Sequence, residues 1–227
     1  MLADVSHELK TPLTSIRGYL ETLRMPDVIM DPAARARHLD TVDRETRRLE
    51  RIVADLLDLA RFENNASPLD VRVFAIDRVF DHVIARHERQ ASVAGVSIRS
   101  KVHEGADHIA ADPHRIEQVI DNLVVNAIRH TPPGGTVELA AGRSGELAVL
   151  WVIDSGDGIA PEHLPYVFDR FYKVDAARAA SPGSGLGLTI AKAIVQQHGG
   201  SIQVASEPGR TEFWVELPQP DPAAANL

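Results

Sequence analysis

Leu9, Leu13, Ile16, Leu20 and Leu23 are spaced four, three, four and three apart, a heptad seam that predicts a helix over residues 1–24. Residues 25–33 hold two prolines and read as a turn. Asp31 followed by Pro32 is a helix start, a capping side chain and then a first-turn proline. The second helix is expected over 32–62, with Leu39, Val42, Leu49, Ile52, Val53, Leu56, Leu57 and Ala60 as its apolar positions. Arg44, Glu45, Arg47, Arg48, Glu50 and Arg51 read as its outer, solvated face. One hairpin cannot bury both apolar stripes. Two hairpins in a four-helix bundle can, so a homodimer through residues 1–62 is expected.

The pattern changes after residue 62. Residues 63–69 are polar with one proline and read as a hinge. Beyond them, residues 70–218 read as a mixed α/β domain. Strands are expected at 71–74, 96–102 and 108–111, and helices at 76–93 and 112–130, the latter started by Asp112-Pro113. Residues 136–141 and 147–154 form a hairpin around 142–145. A glycine-bearing region leads to a helix over 186–198, stopped by Gly199-Gly200. Residues 202–206 and 211–217 pair around Pro208-Gly209. Residues 219–227 read as a disordered tail.

The 227 residues suit one large domain or two small ones. A net charge of -8 without a basic block argues against a nucleic-acid partner. The absence of cysteine excludes disulfides, thiol catalysis and cysteine metal sites. No apolar run reaches membrane-spanning length, so a cytoplasmic protein is expected.

Several positions carry candidate chemistry. His7 lies off the seam, so its ring faces solvent or a partner. Glu8 beside it can take a proton from one ring nitrogen and leave the other a better nucleophile. Thr11 lies one turn on, and Pro12 removes one helical hydrogen bond and is expected to bend the helix. In the helix over 112–130, Asn122 and Asn126 project from one face. An Asn carbonyl oxygen is a hard ligand suited to Mg²⁺, though such amides also cap or bridge nearby backbone. Arg129 and His130, one turn on, could touch phosphate. Asp154-Ser155-Gly156-Asp157-Gly158-Ile159 follows a strand, where a carboxylate can accept from an exocyclic amine and glycines allow close approach. The same residues also suit a plain turn. Phe168-Asp169-Arg170-Phe171-Tyr172-Lys173 places aromatics among charges. Gly183-Ser184-Gly185-Leu186-Gly187-Leu188 opens a helix whose backbone N–H groups can meet phosphate.

The string Ser6-His7-Glu8-Leu9-Lys10-Thr11-Pro12-Leu13 resembles the phosphoacceptor box of bacterial two-component sensor histidine kinases. The four downstream pieces resemble, in order and spacing, the N, G1, F and G2 boxes of that family's ATP-binding domain, a Bergerat-fold α/β sandwich. The resemblance implies that His7 is the phosphoacceptor, Glu8 its base, and Thr11 the support for a phosphatase reaction on a response regulator. It implies ATP and Mg²⁺ as cofactors, with Mg²⁺ on Asn126, Asn122 beside the phosphates and Asp154 on adenine. Gly156, Gly158 and Ile159 would shape the pocket, and Thr211 would reach towards its carboxylate. Phe171, Tyr172, Lys173, Gly183, Ser184, Gly185, Leu186, Gly187 and Leu188 would belong to the lid and its edges, with Arg129 and His130 near phosphate. It also implies a response-regulator receiver domain as partner. Because the box begins almost at Met1, a fragment of a longer, membrane-bound sensor is expected. One departure is visible: Ser206-Glu207-Pro208-Gly209-Arg210-Thr211 lacks the family's second glycine and is one residue shorter.

Overall fold

A computed structural model of the chain describes residues 2–25, 31–63, 68–174 and 184–219. Helix α1 (Leu2–Arg24) and helix α2 (Pro32–Glu63) form an antiparallel hairpin. Asp31 caps α2 by accepting the Ala34 N–H at 2.8 Å. α1 continues through a buried Pro12, which has no N–H to offer the Glu8 carbonyl.

Within a single hairpin only part of the apolar stripe of α2 is covered. Ile52, Leu59 and Phe62 are buried, while Leu39, Val53 and Leu57 are 49%, 46% and 56% exposed. Glu45, Arg48, Ile52, Asp55, Leu59 and Phe62, at alternating steps of three and four, therefore mark the inward stripe. Glu45 and Arg48, read as solvated, are turned in: Arg48 Nη2 lies 3.5 Å from Glu8 Oε2 of α1, and Nη1 lies 3.7 Å from Glu45 Oε2. Long charged side chains can cover an interface with their stems and pair their heads within it.

The rest is a two-layer α/β sandwich. Strand β1 (Arg72–Ala75) pairs antiparallel with β3 (His108–Ala111). The main sheet runs β2 (Ser97–Val102), β4 (Thr136–Ser144), β5 (Leu147–Asp154), β7 (Arg210–Pro218), β6 (Ser201–Glu207). Only β2 and β4 are parallel. β4 is longer than the sequence suggested because it passes through Gly142, where a Cβ would sit 2.9 Å from the Trp151 ring. The turn falls at 145–146, where Gly145 has φ +60°.

Helices α3 (Ile76–Ala94), α4 (Pro113–His130) and α5 (Gly187–Gln197) share one core with the sheet. α4 contributes Ile116, Val119, Ile120, Leu123, Val124, Ala127 and Ile128, all within 3% of full burial. Alternate residues Phe213, Val215 and Leu217 of β7 meet them. Asp112 caps α4, its Oδ1 accepting from the N–H groups of His114 and Arg115, both at 3.1 Å. Its Oδ2 accepts the Asp70 N–H at 3.0 Å, and its own N–H donates to His198 Nε2 at 3.1 Å.

The end of α2 packs on this domain. Leu59 and Phe62 join the core, the Arg115 guanidinium lies 4.7 Å over the Phe62 ring, and Gln118 Nε2 donates to Asp58 Oδ2 at 3.1 Å. Most of the expected hinge and tail, residues 64–67 and 220–227, lies outside the described residues, as do Gly183 and residues 26–30 of the first turn. Gln219 is held by the sheet, donating its N–H to the Glu146 carbonyl at 2.9 Å.

Candidate functional site

β5 ends on Asp154, directly across from Thr211 of β7. The carboxylate is buried, and burial pushes its pKa up to about 6 despite the Gly156 N–H that donates to Oδ1 at 2.9 Å. Gly156 packs on the His130 carbonyl, leaving no room for a side chain. Gly158, at φ +85°, would place a Cβ 2.7 Å from the Glu207 carbonyl oxygen. The shortened loop still closes: the Gly209 N–H donates to the Gly156 carbonyl at 2.9 Å. The Ile159 N–H donates to Ser206 Oγ at 2.8 Å, and the Ser206 and Thr211 hydroxyls lie 2.8 Å apart. Thr211 thus faces Asp154 in register but spends its hydroxyl on Ser206. The result is a buried, desolvated carboxylate beside close backbone, chemistry suited to an exocyclic amine donor.

The second wall comes from α4 and the start of α5. A Cβ on Gly187 would meet Asn122 Oδ1 at 3.1 Å, so the two helices approach closely at that glycine. Asn122 and Asn126 are half-buried, and among the described residues neither amide makes a hydrogen bond. The capping alternative is therefore not what holds them. Arg129 retains solvent access, yet desolvation and then the charge of Arg51 on α2 lower its pKa. Among the described residues Arg129 has no ion-pair partner, while the Arg51 charge that acts on it also acts on Asp55, so positive charge is in excess beside this part of α4.

Phe171 and Gly185 form a backbone clasp. The Phe171 N–H donates to the Gly185 carbonyl at 2.9 Å, and Phe171 has φ +62°. Gly185, at φ +72°, would set a Cβ 2.7 Å from Phe171 Cα. Tyr172 Oη and His163 Nδ1 are 2.7 Å apart. Leu186 is fully buried and Leu188 packs against the core, which fixes the first turn of α5.

Both ends of this segment reach the hairpin. Lys173 Nζ lies 3.0 Å from Glu8 Oε2, while Ser184 Oγ donates to Asp55 Oδ2 at 2.8 Å. Burial raises the Asp55 pKa, the Ser184 bond opposes it, and the Asp58 and Arg51 charges act in opposite senses. His7 and Thr11 are exposed, and the Thr11 hydroxyl donates to the His7 carbonyl at 3.1 Å. The His7 ring makes no hydrogen bond among the described residues.

Residues 1–65 match the His Kinase A (phospho-acceptor) domain, and residues 111–221 match the family described as Histidine kinase-, DNA gyrase B-, and HSP90-like ATPase. The chain belongs to the sensor histidine kinases. Sensor protein SrrB of Staphylococcus aureus (strain N315) is 38% identical over 222 residues, 97% of this chain and 38% of the relative. The chain therefore spans well under half the length of this curated relative. A full-length ShkA structure in complex with AMPPNP superposes with a TM-score of 0.71 at 28% identity, over 96% of this chain and 45% of that one. Histidine kinase ThkA in complex with response regulator protein TrrA gives a TM-score of 0.77 at 26% identity, over 97% and 61% of the two chains.

In this kinase core Asp154, Gly156, Gly158, Ile159 and Thr211 come together at one wall, and Asn122 meets Gly187 at another. Lys173, expected at the edge of the lid, pairs with Glu8 of the hairpin. Sequence reasoning did not single out Ser206, Asp55, Arg51 or Arg48 as functional. Ser206 was within reach through its loop motif. The other three look like ordinary charges on a charged helix, and only the inward stripe distinguishes Arg48 and Asp55.

Proposed function

We propose that this histidine kinase core transfers the γ-phosphoryl group of ATP to His7 and then to an aspartate of a response-regulator receiver domain. The observation that carries the reading is the 3.0 Å contact between Lys173 and Glu8, which joins the histidine-bearing turn to the edge of the nucleotide domain. Asp154 accepts the adenine amine, and the glycines at 156 and 158 let the ring lie against backbone. The start of α5 offers N–H groups to the phosphates, and Arg129 and Arg51 add positive charge. The Asn126 amide, without a hydrogen bond among the described residues, fits a hard cation and would hold Mg²⁺, which supplies neutralisation of phosphate charge when bound.

One ring nitrogen of His7 attacks the γ-phosphorus; the N–P bond forms, the P–O bond to the β-phosphate breaks, and ADP leaves. Glu8 takes up the proton on the other ring nitrogen. Glu8 is engaged by cations here, so transfer requires the nucleotide domain to shift relative to the hairpin. Thr11, exposed one turn from His7, would support hydrolysis of the phosphorylated regulator. The exposed Leu13, Leu20, Leu39, Val53 and Leu57 support pairing with a second copy. Among the described residues no helix is long and apolar enough to cross a membrane. Attachment through a sensor region, and a cytoplasmic place for this core, belong to the same proposal.

Incubation with γ-labelled ATP and Mg²⁺ tests it. The native chain should take up an acid-labile, alkali-stable label that His7→Gln lacks. Equal label on His7→Gln would refute His7 as acceptor.

A further inference from the structure

We propose that Arg48 is a positioning residue for the phosphoryl-transfer step, holding the Glu8 carboxylate in its working orientation after Lys173 has left it. The inference rests on the reading of His7 as phosphoacceptor and Glu8 as its base.

Glu8 Oε2 meets two cations from different parts of the chain: Lys173 of the nucleotide domain at 3.0 Å and Arg48 of α2 at 3.5 Å. Arg48 also reaches Glu45 at 3.7 Å. These four side chains are only 14–24% exposed, and the more exposed Arg44 also reaches Glu45, so three cations face two carboxylates. The two cations differ in what they can follow. Lys173 lies at the edge of the nucleotide domain and moves with it, and incoming phosphate competes with Glu8 for its ammonium. Arg48 belongs to the same hairpin as Glu8, so its contact survives when that domain shifts.

Arg48 is also costly to keep. Its Nε is buried and has no hydrogen-bond partner among the described residues, although both terminal nitrogens are placed against carboxylates. A buried donor left unsatisfied opposes stability, and an apolar residue of similar length would cover the interface without that cost. The fork does what a lysine cannot: its two terminal nitrogens engage carboxylates on two helices at once. Glu8, the sequence neighbour of His7, is thereby held at ion-pair distance from α2. Catalysis by a neighbouring base depends on such placement, since small displacements of a reacting group are expensive in rate.

The test is a double-mutant cycle on autophosphorylation, using the native chain, Arg48→Met, Glu8→Gln and the double variant, each measured across ATP concentrations. Arg48→Met should lower kcat by about tenfold to a hundredfold, with KM for ATP unmoved. It should cost little further in the Glu8→Gln background, because a residue acting through Glu8 has nothing left to position. Arg48→Lys should recover part of the rate, and it guards against misreading a poorly folded Met variant. Losses that multiply in the double variant, or native kcat in Arg48→Met, would overturn the role of Arg48 while leaving His7 phosphorylation standing. A native chain that takes up no label at His7 overturns the kinase reading and this inference with it.

Discussion

Asp154 is 4% exposed and accepts one backbone N–H, from Gly156. Burial raises its pKa from 3.8 to about 6. The folded state therefore binds the proton more tightly than the unfolded chain. Whatever stability this gives is fully present below pH 3.8 and is lost as pH rises through about 6. A shift of that size corresponds to roughly 3 kcal/mol at about 1.4 kcal/mol per unit. Asp154→Asn keeps an acceptor for the Gly156 N–H and removes the ionisation. Its own NH₂ group is buried without a partner and takes back about 1–2 kcal/mol. The variant should thus equal or exceed the native nucleotide domain in stability at pH 7.5, by up to about 2 kcal/mol, and fall below it at pH 4. Denaturant melts at several pH values would measure this, with Trp151 and Trp214, paired across β5 and β7, as the fluorescent reporters. The difference between the two profiles isolates Asp154, because other titrating groups cancel. The same variant presents a donor where adenine also presents one, and should bind ATP about 10–100-fold more weakly, the worth of one hydrogen bond to a charged group. Native ATP affinity should rise as pH passes through about 6. Parallel stability profiles, or unimpaired ATP binding by Asp154→Asn, would refute the assignment of a desolvated, adenine-reading carboxylate.

Asp112→Ala removes the acceptor of three backbone N–H groups and should destabilise the nucleotide domain by about 2–3 kcal/mol in urea melts. Gly158→Ala combines a positive φ with a Cβ pressed on Glu207, and should cost about 1–3 kcal/mol in the same melts and weaken ATP analogue binding in titration calorimetry. Leu57→Glu puts a charge on an exposed apolar stripe and should turn a dimer into a monomer in sedimentation runs while ATP binding persists; an unchanged mass would place the pairing surface elsewhere.

Most of the fold was legible because its signals are local. Asp31-Pro32 and Asp112-Pro113 announce helix starts through their own side chains, and Gly199-Gly200 closes α5 with Gly199 at φ +71°. The grouping of Asp154 with the glycines at 156 and 158 was legible for a similar reason, since they sit within five residues. The failures are tertiary. Gly142 looks like a turn residue, and only Trp151 on the facing strand explains why a strand needs a glycine there. Arg48 reads as one more surface cation until Glu8 of another helix is brought against it. Lys173 and Glu8 lie 165 positions apart, and no spacing rule spans that separation.

The Asp112 cap also defines a load path. Strain at Asp70 is passed to Asp112, whose Oδ2 accepts the Asp70 N–H. From there it divides, into the first turn of α4 through Oδ1 and into the last turn of α5 through the N–H bonded to His198. The far ends of those two helices are the ones that border the pocket, His130 against Gly156 and Gly187 against Asn122. Asp112 therefore ties both helices to one point, in parallel with the direct Asp58–Gln118 and Phe62–Arg115 contacts, so a displacement there acts on α4 and α5 together without passing through the sheet.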